Sequence, residues 1–373
     1  MLAASPVQFQ LPPSQLNYST ETNISPLILE KPDSRVNVKG EHMRTVKRLN
    51  HGGIMANYKC NAACRHCLYA CSPERSGGFI SKAGAGDICG LLREGGCRSV
   101  HVGGGEPFLD FDGLVELVGT VRNAGINVEY IETNAFWARD EYKVEQQLRA
   151  LLKTGADTLC ISLDPFHAEY VPVKMPLFLA EMCRRVNFGF FLWQEKYLPA
   201  LSRLDSDKTY NRAELERLIS RDYVMKTAQS YGLHMGGRAY NIEAEYLTLR
   251  PVDTIADSRP CCRLLSSDHF HVDLNGKFIP PGCTGIAIPL EDVVRGIPDG
   301  KYPVFDALLS GGTAELLRYA RARGFSENSH GYTSNCAMCF HIRRWFCEQN
   351  ECPELDPEHY IESLKYYGSG LHG

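Results

Sequence analysis

Short apolar runs alternate with longer stretches of helical periodicity between residues 53 and 240. This alternation is typical of repeated βα units around a parallel sheet, because each buried strand is followed by an amphipathic helix that covers it. The apolar runs predict strands at residues 54–58, 99–102, 128–132, 158–162, 187–192 and 233–235. The intervening periodicity predicts helices, which are clearest at residues 111–123, 142–153, 175–185 and 212–231.

The pattern changes on either side of this region. Residues 1–45 contain a Leu-Pro-Pro sequence and a polar run without apolar periodicity, which predicts an extended arm. After about residue 250, prolines and glycines become frequent, and the helical period weakens until residues 313–323. There, alternation on both sides of Asn275-Gly276 predicts a β-hairpin over residues 269–279. We therefore expect an arm at 1–45, an αβ core at 46–248 and a second domain at 249–373.

Composition limits the classes of partner. The chain has 373 residues and is 44% hydrophobic, which is enough for a large core. Its 40 basic and 44 acidic residues give a formal net charge of -4, which predicts no general attraction to nucleic acid or to an anionic membrane. No apolar run is long enough to span a bilayer, and the N-terminus lacks a signal-peptide pattern. We expect a cytoplasmic protein that binds neither nucleic acid nor membrane.

The chain contains fifteen cysteines, many for a reducing compartment in which disulfides are rare. This number favours metal ligation, and most of the cysteines fall into two groups. The group near the start is Cys60, Cys64, Cys67 and Cys71. The group near the end is Cys261, Cys262, Cys283, Cys336, Cys339, Cys347 and Cys352. The remaining four are scattered, and we interpret them as small buried hydrophobic residues.

The first group contains the spacing CxxxCxxC, formed by Cys60, Cys64 and Cys67 directly after the first predicted strand. One short loop can present these three thiolates to a single metal centre. Cysteine thiolates are the usual protein ligands of iron-sulfur clusters, and a complete cubane normally takes four, so three leave one iron open. A structural zinc site, or a chance grouping of buried cysteines, is the alternative.

This spacing, with His66 directly before the last cysteine, resembles the radical S-adenosylmethionine (SAM) superfamily. The resemblance implies an α/β fold with a partial (β/α)6 TIM-like barrel, and a [4Fe-4S] cluster held by Cys60, Cys64 and Cys67. In the superfamily the open iron chelates the amino and carboxylate groups of SAM. An electron from the reduced cluster then releases a 5'-deoxyadenosyl radical.

Residues at the ends of further predicted strands extend the resemblance. The turn after the second strand resembles the superfamily's GGEP motif, which holds the methionine amino group and here reads Gly104, Gly105, Glu106 and Pro107. Its glycines allow the backbone to approach a ligand closely. Thr133 and Asn134 end the third strand, and the resemblance implies that they also contact the cofactor. Active sites of parallel αβ folds lie at these carboxyl ends.

The fourth and sixth predicted strands contribute further candidates. Period two along the fourth strand places Ser162 and Asp164 on the face that points into the barrel. Ser162 resembles the superfamily's ribose-contacting position. We predict Asp164 and His167 as catalytic residues at the barrel mouth, although a loop histidine without a catalytic role is the alternative for His167. Arg238 follows two glycines in a sequence that resembles one common in members with auxiliary clusters, and we expect it to bind a carboxylate.

The second cysteine group resembles the SPASM and Twitch extensions of the superfamily. The shared features are the predicted hairpin before Cys283 and the later CxxC. The resemblance implies metal ligands at Cys262 or its neighbour Cys261, and at Cys283, Cys336, Cys339, Cys347 and Cys352. The spacing of the last two departs from the standard SPASM pattern, so we expect one auxiliary [4Fe-4S] cluster rather than two. A structural zinc domain is the alternative.

Together these features predict an oxygen-sensitive radical SAM enzyme that abstracts a hydrogen atom from its substrate, while an auxiliary cluster assists oxidation or ligates the substrate. Known members modify peptides or oxidise small molecules, and many peptide modifiers carry an N-terminal leader-binding domain. The first 50 residues are too short and too poor in helical pattern for that domain, which favours a small molecule or a short leaderless peptide. We expect a flavodoxin or ferredoxin as reductant. The alternatives are a non-catalytic electron carrier or cluster scaffold, and a leader-independent peptide maturase.

Overall fold

Strands and helices alternate through the central part of the chain. The computed structural model describes residues 34–36, 42–44, 48–75, 77–231 and 236–360. The strands are β1 (Ser34–Val36), β2 (His42–Arg44), β3 (His51–Met55), β4 (Ser99–Gly103), β5 (Asn127–Thr133), β6 (Thr158–Ser162), β7 (Gly189–Trp193), β8 (Asp268–Val272), β9 (Lys277–Ile279), β10 (Ile288–Pro289) and β11 (Ile297–Pro298). The helices are α1 (Lys82–Glu94), α2 (Phe111–Asn123), α3 (Glu141–Thr154), α4 (Lys174–Val186), α5 (Leu198–Leu201), α6 (Arg212–Leu218), α7 (Tyr223–Tyr231), α8 (Ala239–Tyr246), α9 (Val252–Ile255), α10 (Leu290–Arg295), α11 (Pro303–Arg321) and α12 (Asn335–Gln349).

An eight-stranded sheet lies at the centre of the fold, with its strands in the order β10-β9-β8-β3-β4-β5-β6-β7. The strands from β8 to β7 run parallel, and β9 and β10 extend one edge in antiparallel pairing. Helices α1 to α4 connect the successive parallel strands from β3 to β7. Parallel neighbours require such crossovers, so the predicted α/β fold with a parallel sheet is confirmed.

The helix layer packs on one face of this sheet through regularly spaced apolar side chains. In α2 these side chains are at most 2% exposed and follow the spacing i, i+3, i+4, i+7, at Leu114, Leu117, Val118 and Val121. Val100 and Val102 of β4 belong to the same core. The residue between them, His101, points to the opposite face, because side chains alternate along a strand. That opposite face lines the interior in which the candidate site lies.

The sixth parallel strand comes from a different part of the chain than predicted. The expected strand at 233–235 lies outside the described residues. The position beside β3 is filled by β8, which the sequence assigned to the hairpin of a second domain. Phe270 and Val272 of β8 are fully buried, so pairing with β3 adds apolar side chains to the main core. The hairpin itself is confirmed, since β8 and β9 pair antiparallel across the Asn275-Gly276 turn. The domain limits near residues 45 and 248 stay predictions.

The four clearest helix predictions agree with the structure except at residues 212–231. The predicted bounds of α2 are observed, and those of α3 and α4 differ by one residue at each end. The helix predicted at 212–231 is divided into α6 and α7 by a turn, in which the backbone carbonyl of Ser220 accepts from the N–H of Tyr223 and the Ser220 hydroxyl donates to the Asp222 carboxylate. Helix α1 fills the gap between the first two predicted strands, where a helix was expected, although its glycines weaken the helical signal. Helix α12 was not predicted.

The described part of the predicted N-terminal arm forms two strands. β1 and β2 pair antiparallel, and β2 also pairs with β11. The rest of residues 1–45 lies outside the described chain. None of the helices described is both long enough and apolar enough to cross a membrane.

Buried polar side chains tie the C-terminal segment to the first loop of the core. The Tyr58 hydroxyl lies 3.1 Å from an Asp273 carboxylate oxygen and 2.7 Å from Nε2 of His359. The other ring nitrogen of His359 accepts from the backbone N–H of Gly285. Arg75 stacks on the Tyr58 ring at 4.7 Å and pairs with Glu358. Because buried polar groups are costly unless bonded, this network holds residues 358–360 against the loop that follows β3.

The His359 ring makes stability depend on pH. Burial lowers the pKa of His359 to about 4, so the folded protein keeps the ring neutral while an unfolded chain protonates it below its ordinary pKa. Stability from this residue is therefore complete above about pH 6.5 and is lost as the pH falls toward 4. Between about pH 7 and pH 5, the wild-type protein should lose about 2 kcal/mol more unfolding free energy than the variant His359→Gln, which lacks the titrating ring. Urea denaturation of both proteins at the two pH values measures this difference, and parallel pH slopes would contradict it.

Candidate active site

A loop with three thiols opens into a large cavity. The loop begins after β3, and Cys60, Cys64 and Cys67 all line a cavity of about 580 Å³. Backbone bonds shape the loop: the N–H of Cys60 donates to the carbonyl of Ser72, and that of Cys67 to the carbonyl of Cys64. The cavity also contains residues from the carboxyl ends of β4, β5 and β6. The three predicted cluster ligands therefore share one site with the predicted cofactor residues.

The glycine-rich turn after β4 packs directly on the backbone that leads into this loop. Gly104 has φ +134°, and a Cβ there would lie 2.5 Å from the carbonyl oxygen of Asn57. A Cβ on Gly105 would lie 2.0 Å from the carbonyl oxygen of Lys59. Two backbone hydrogen bonds join the segments: the N–H of Gly105 donates to the carbonyl of Asn57, and the N–H of Glu106 donates to the carbonyl of Lys59. These glycines are required because two backbone segments touch without room for a side chain.

Glu106 holds the turn against the end of β5. One oxygen of its fully buried carboxylate accepts from the N–H of Phe108 and the hydroxyl of Thr133, and the other accepts from the N–H of Asn134. Burial raises the pKa of Glu106 to about 7, against the effect of these bonds. Pro107, also buried, begins a short 3-10 turn beside it. The carboxylate of Glu106 therefore positions the turn.

The end of β5 also contacts the thiol loop. The Asn134 amide donates to the side-chain oxygen of Asn61 at 2.8 Å and lies 3.7 Å from Sγ of Cys60. Thr133 accepts a bond from the indole of Trp137, which fixes the chain after β5. Asn134 lines the cavity together with Ser162 from the end of β6. The residues predicted at the ends of the third and fourth strands are thus brought to one place.

Gly237 and Arg238 support the thiol loop from the other side. The N–H of Arg238 donates to the carbonyl of Cys67, and its guanidinium donates to the carbonyls of Cys64 and Cys71 at 2.9 and 2.6 Å. Among the described residues, its Nη1 is buried and has no hydrogen-bond partner. The guanidinium was predicted to bind a ligand carboxylate, but in the structure it binds mainly the loop backbone. Arg238 also lines the cavity.

The two predicted catalytic residues form a buried pair beside His66. Oδ2 of Asp164 lies 2.7 Å from Nδ1 of His167 and 3.9 Å from Nε2 of His66. Although burial opposes ionisation, His167 and His66 hold the pKa of Asp164 below its usual range, and Asp164 raises that of His167 in the same way. Burial lowers the pKa of His66 to about 4 and keeps it neutral. His66 and His167 line the cavity, and Asp164 orients His167 from behind.

The thiols of the loop suit a metal centre. A hydrogen bond from the Cys71 thiol is the main cause that lowers the pKa of Cys67 to about 5, with the charge of Arg238 acting in the same direction. Cys67 is therefore a thiolate at neutral pH, the form that binds metals. Burial raises the pKa of Cys60. Three thiols on one loop beside a cation fit a cluster with one open position.

The C-terminal thiols divide into two sets. Burial, and then the charge of Cys283, raise the pKa of Cys261 to about 11, and Cys336 also contributes. Burial raises the pKa of Cys339 to about 12, and Cys283, Cys261 and Cys336 act on it as well. These four thiols therefore lie within electrostatic range of one another. Cys262, which was predicted ahead of its neighbour Cys261 as a metal ligand, is exposed.

Cys347 and Cys352 form the other set. Both are buried, and burial raises their pKa values to about 11 and about 12. Cys347 lies on α12, about two helical turns after Cys339 of the first set. Cys347 contributes to the raised pKa of Cys352, and neither cysteine is among the main groups that raise the pKa values of Cys261 and Cys339.

Sequence reasoning missed two charged residues near these sites. Arg343 of α12 is 1% exposed, donates to the carbonyl of Thr284 at 2.7 Å, and adjoins the Cys339 thiol. Its position four residues after Cys339 was the available signal, since i and i+4 share a helix face. Glu132 lines the cavity, but counting in twos from buried Val128 would place it on the helix face, so the pattern of β5 gave no signal for it.

The packing of Gly237 on the thiol loop can be tested by adding one methyl group. Gly237 has φ +52°, and a Cβ there would lie 2.4 Å from the carbonyl oxygen of Leu68. We expect Gly237→Ala to lower the unfolding free energy by about 2 kcal/mol or more, from left-handed strain and this clash. Gly78→Ala is the matched control, because nothing lies within 4 Å of its Cβ position, and it should change stability by less than about 0.5 kcal/mol. Chemical denaturation that ranks the two variants equally would contradict the close packing.

Known proteins resemble part of this chain. Residues 55–201 match the family model described as the radical SAM superfamily. The chain is 26% identical over 118 residues to YydG of Bacillus subtilis (strain 168), which is named as a peptide biosynthesis protein. This match covers 32% of this chain and 37% of YydG. It is 30% identical over 106 residues to a protein of Methanococcus maripaludis that is named as a GTP 3',8-cyclase. This match covers 28% of this chain and 33% of that protein. The matches therefore span about a third of the length of these curated relatives.

Among solved structures, native anSMEcpe with bound AdoMet is similar with a TM-score of 0.42 and 13% identity, over 81% of this chain and 97% of that one. The family match begins at the end of β3 and contains the thiol loop, the glycine-rich turn and the ends of β5 and β6. These are the elements that the geometry brings together around the cavity. Residues 55–201 are therefore similar to the radical SAM superfamily domain.

Proposed function

We propose that this protein is an enzyme that reductively cleaves SAM and uses the resulting radical to abstract a hydrogen atom from a substrate in the cavity. The observation that carries the proposal is the convergence on one cavity of three loop thiols, the glycine-rich turn, Asn134 and Ser162. When bound, the [4Fe-4S] cluster and SAM supply a 5'-deoxyadenosyl radical. The chain binds these groups, orients the substrate and excludes water.

Specific residues would hold the cofactors. Cys60, Cys64 and Cys67 would ligate the cluster, and Arg238 would keep their loop in place through its bonds to the carbonyls of Cys64 and Cys71. The carbonyls of the turn at 103–106 would accept from the methionine amino group, and Ser162 would bond the ribose. His167, charged and held by Asp164, reaches the same cavity and is our proposed acid or base.

An auxiliary [4Fe-4S] cluster in the C-terminal part is the second element of the proposal. Its ligands would be Cys261, Cys283, Cys336 and Cys339, because these four thiols affect one another's ionisation. Four thiolates complete one cubane. The buried guanidinium of Arg343 beside Cys339 would offset part of the negative charge. Cys347 and Cys352 lie in a separate buried set, which supports one auxiliary cluster rather than two.

The substrate class follows less directly. The superfamily relatives include one named for peptide biosynthesis and one named for cyclisation of GTP, so both a short peptide and a small molecule suit the family. A flavodoxin or ferredoxin in the cytoplasm is our proposed electron source. A non-catalytic electron carrier would need the thiols alone, and the large cavity beside them favours the enzyme.

SAM cleavage is tested by replacing the three loop thiols together. Cys60→Ala/Cys64→Ala/Cys67→Ala should reduce 5'-deoxyadenosine formation from SAM and dithionite to the level of cluster-free protein, because no other described thiol set adjoins the turn at 103–106. Cys89→Ala, which changes a buried thiol in the helix layer, is the control and should retain product formation. Chromatographic quantification of 5'-deoxyadenosine measures both, and a triple variant that still makes it would overturn the proposal.

The auxiliary ligands are tested by the adjacent pair of cysteines. On the triple-alanine background, reconstituted protein should bind ~4 irons per chain, one cubane. Adding Cys262→Ala should keep this iron, whereas Cys261→Ala should lose most of it, because in addition to burial Cys261, together with Cys283 and Cys336, raises the pKa of Cys339. Iron assay and Mössbauer spectroscopy measure the cluster. About 8 irons would mean two clusters, and bound zinc with no iron would mean a structural zinc domain instead.

A further inference from the structure

The inner part of the cavity is walled by residues that point inward from the strands. Tyr130 and Glu132 come from β5, Phe191 from β7 and His271 from β8. Rings dominate this wall: Tyr130 stacks on His101 at 4.9 Å and meets Phe191 edge to face at 5.2 Å. This inner part of the cavity, the chamber, therefore offers aromatic faces beside the carboxylate of Glu132.

A bulge in β5 points Tyr130 and Glu132 into this chamber. Val100 of β4 pairs with Val128, but Val102 pairs with Ile131, so β5 contains one extra residue between these pairs. Both Val128 and Ile131 thereby face the helix layer, where they are at most 5% exposed. Bulges commonly redirect side chains next to active sites. Gly103 makes room opposite, since a Cβ there would lie 2.5 Å from Oε2 of Glu132.

Glu132 differs from the other acidic groups of the site in having no counter-ion. Glu106 is bonded through both oxygens, and Asp164 is paired with His167. Within the described residues, no hydrogen bond or ion pair joins Glu132 to a neighbour. Burial, together with the charges of Glu106 and Cys67, raises its pKa to about 7, while the charge of His167 acts in the opposite direction. A buried carboxylate in this position is stabilised by any cation that enters the chamber.

We propose that Glu132 binds an organic cation of the substrate, a primary amine or a guanidinium, whose carbon chain lies against Tyr130 and Phe191. The proposal rests on the proposed function, because it assigns the substrate of that same cavity. A carboxylate recognises the charge, and aromatic faces recognise both the alkyl chain and the cation. A free amine and a lysine or arginine side chain of a peptide carry the same chemistry.

The test measures binding to the reconstituted enzyme with SAM present, by anaerobic calorimetry. The peptide pair is acetyl-Gly-Lys-Gly-amide and its norleucine analogue, and the small-molecule pair is n-butylamine and n-butanol. We expect at least one charged probe to bind about 10-fold or more tightly than its neutral match. A preference shown only by the peptide assigns a peptide substrate, and one shown by butylamine assigns a free amine. Equal affinities within both pairs would overturn the proposal without any variant.

Variants connect the preference to Glu132. In Glu132→Gln the charged and neutral probes should bind within about 2-fold of each other, while the exposed Glu116→Gln, the matched control, should keep the wild-type preference. A preference retained in Glu132→Gln, or a loss of SAM affinity as large as the loss of amine affinity, would overturn the assignment. Formation of 5'-deoxyadenosine without substrate separates the two claims. Enzyme that forms it but shows no preference for charged probes contradicts this inference alone, and enzyme that forms none contradicts the proposed function.

Discussion

The site depends on close backbone packing around the thiol loop. The loop after β3 has no regular secondary structure, so its carbonyls need partners from elsewhere in the chain. The turn at 103–106 bonds the backbone before the loop, and Arg238 bonds three carbonyls within and after it. Both supports approach so closely that glycine is needed at Gly105 and Gly237. Three thiols on a short loop line one cavity because these two segments hold the loop from opposite sides.

The charged side chains around this loop differ in whether they have partners, and this difference distinguishes those that hold the structure in place from the one that is available to a ligand. Glu106 is fully bonded and works as a brace between the turn and the end of β5. Asp164 and His167 neutralise each other at 2.7 Å. Glu132 alone of these carboxylates faces the cavity without a described partner. In a low-dielectric interior an uncompensated charge is costly, so it persists where a ligand supplies the opposite charge.

The C-terminal part is joined to the core by more than chain connectivity. β8 occupies the sheet position beside β3, and Tyr58, Asp273 and His359 share one buried hydrogen-bond network. The family match ends at residue 201, so the auxiliary cluster is argued from the thiols themselves. Their mutual effect on ionisation, together with buried Arg343, makes a metal-binding interpretation consistent with the physics of the site.

Local patterns in the sequence determined the βα repeats, the strands at the centre of the sheet, the hairpin at Asn275-Gly276 and the three thiols of one loop. Each depends on neighbours within a few residues, and periodicity and spacing report such neighbours directly. The tertiary structure decided which strand lies beside β3, which of Cys261 and Cys262 joins the other thiols, and that β5 bulges to bring Glu132 inward. These choices depend on contacts between residues far apart in the chain, and a local pattern is equally compatible with either outcome.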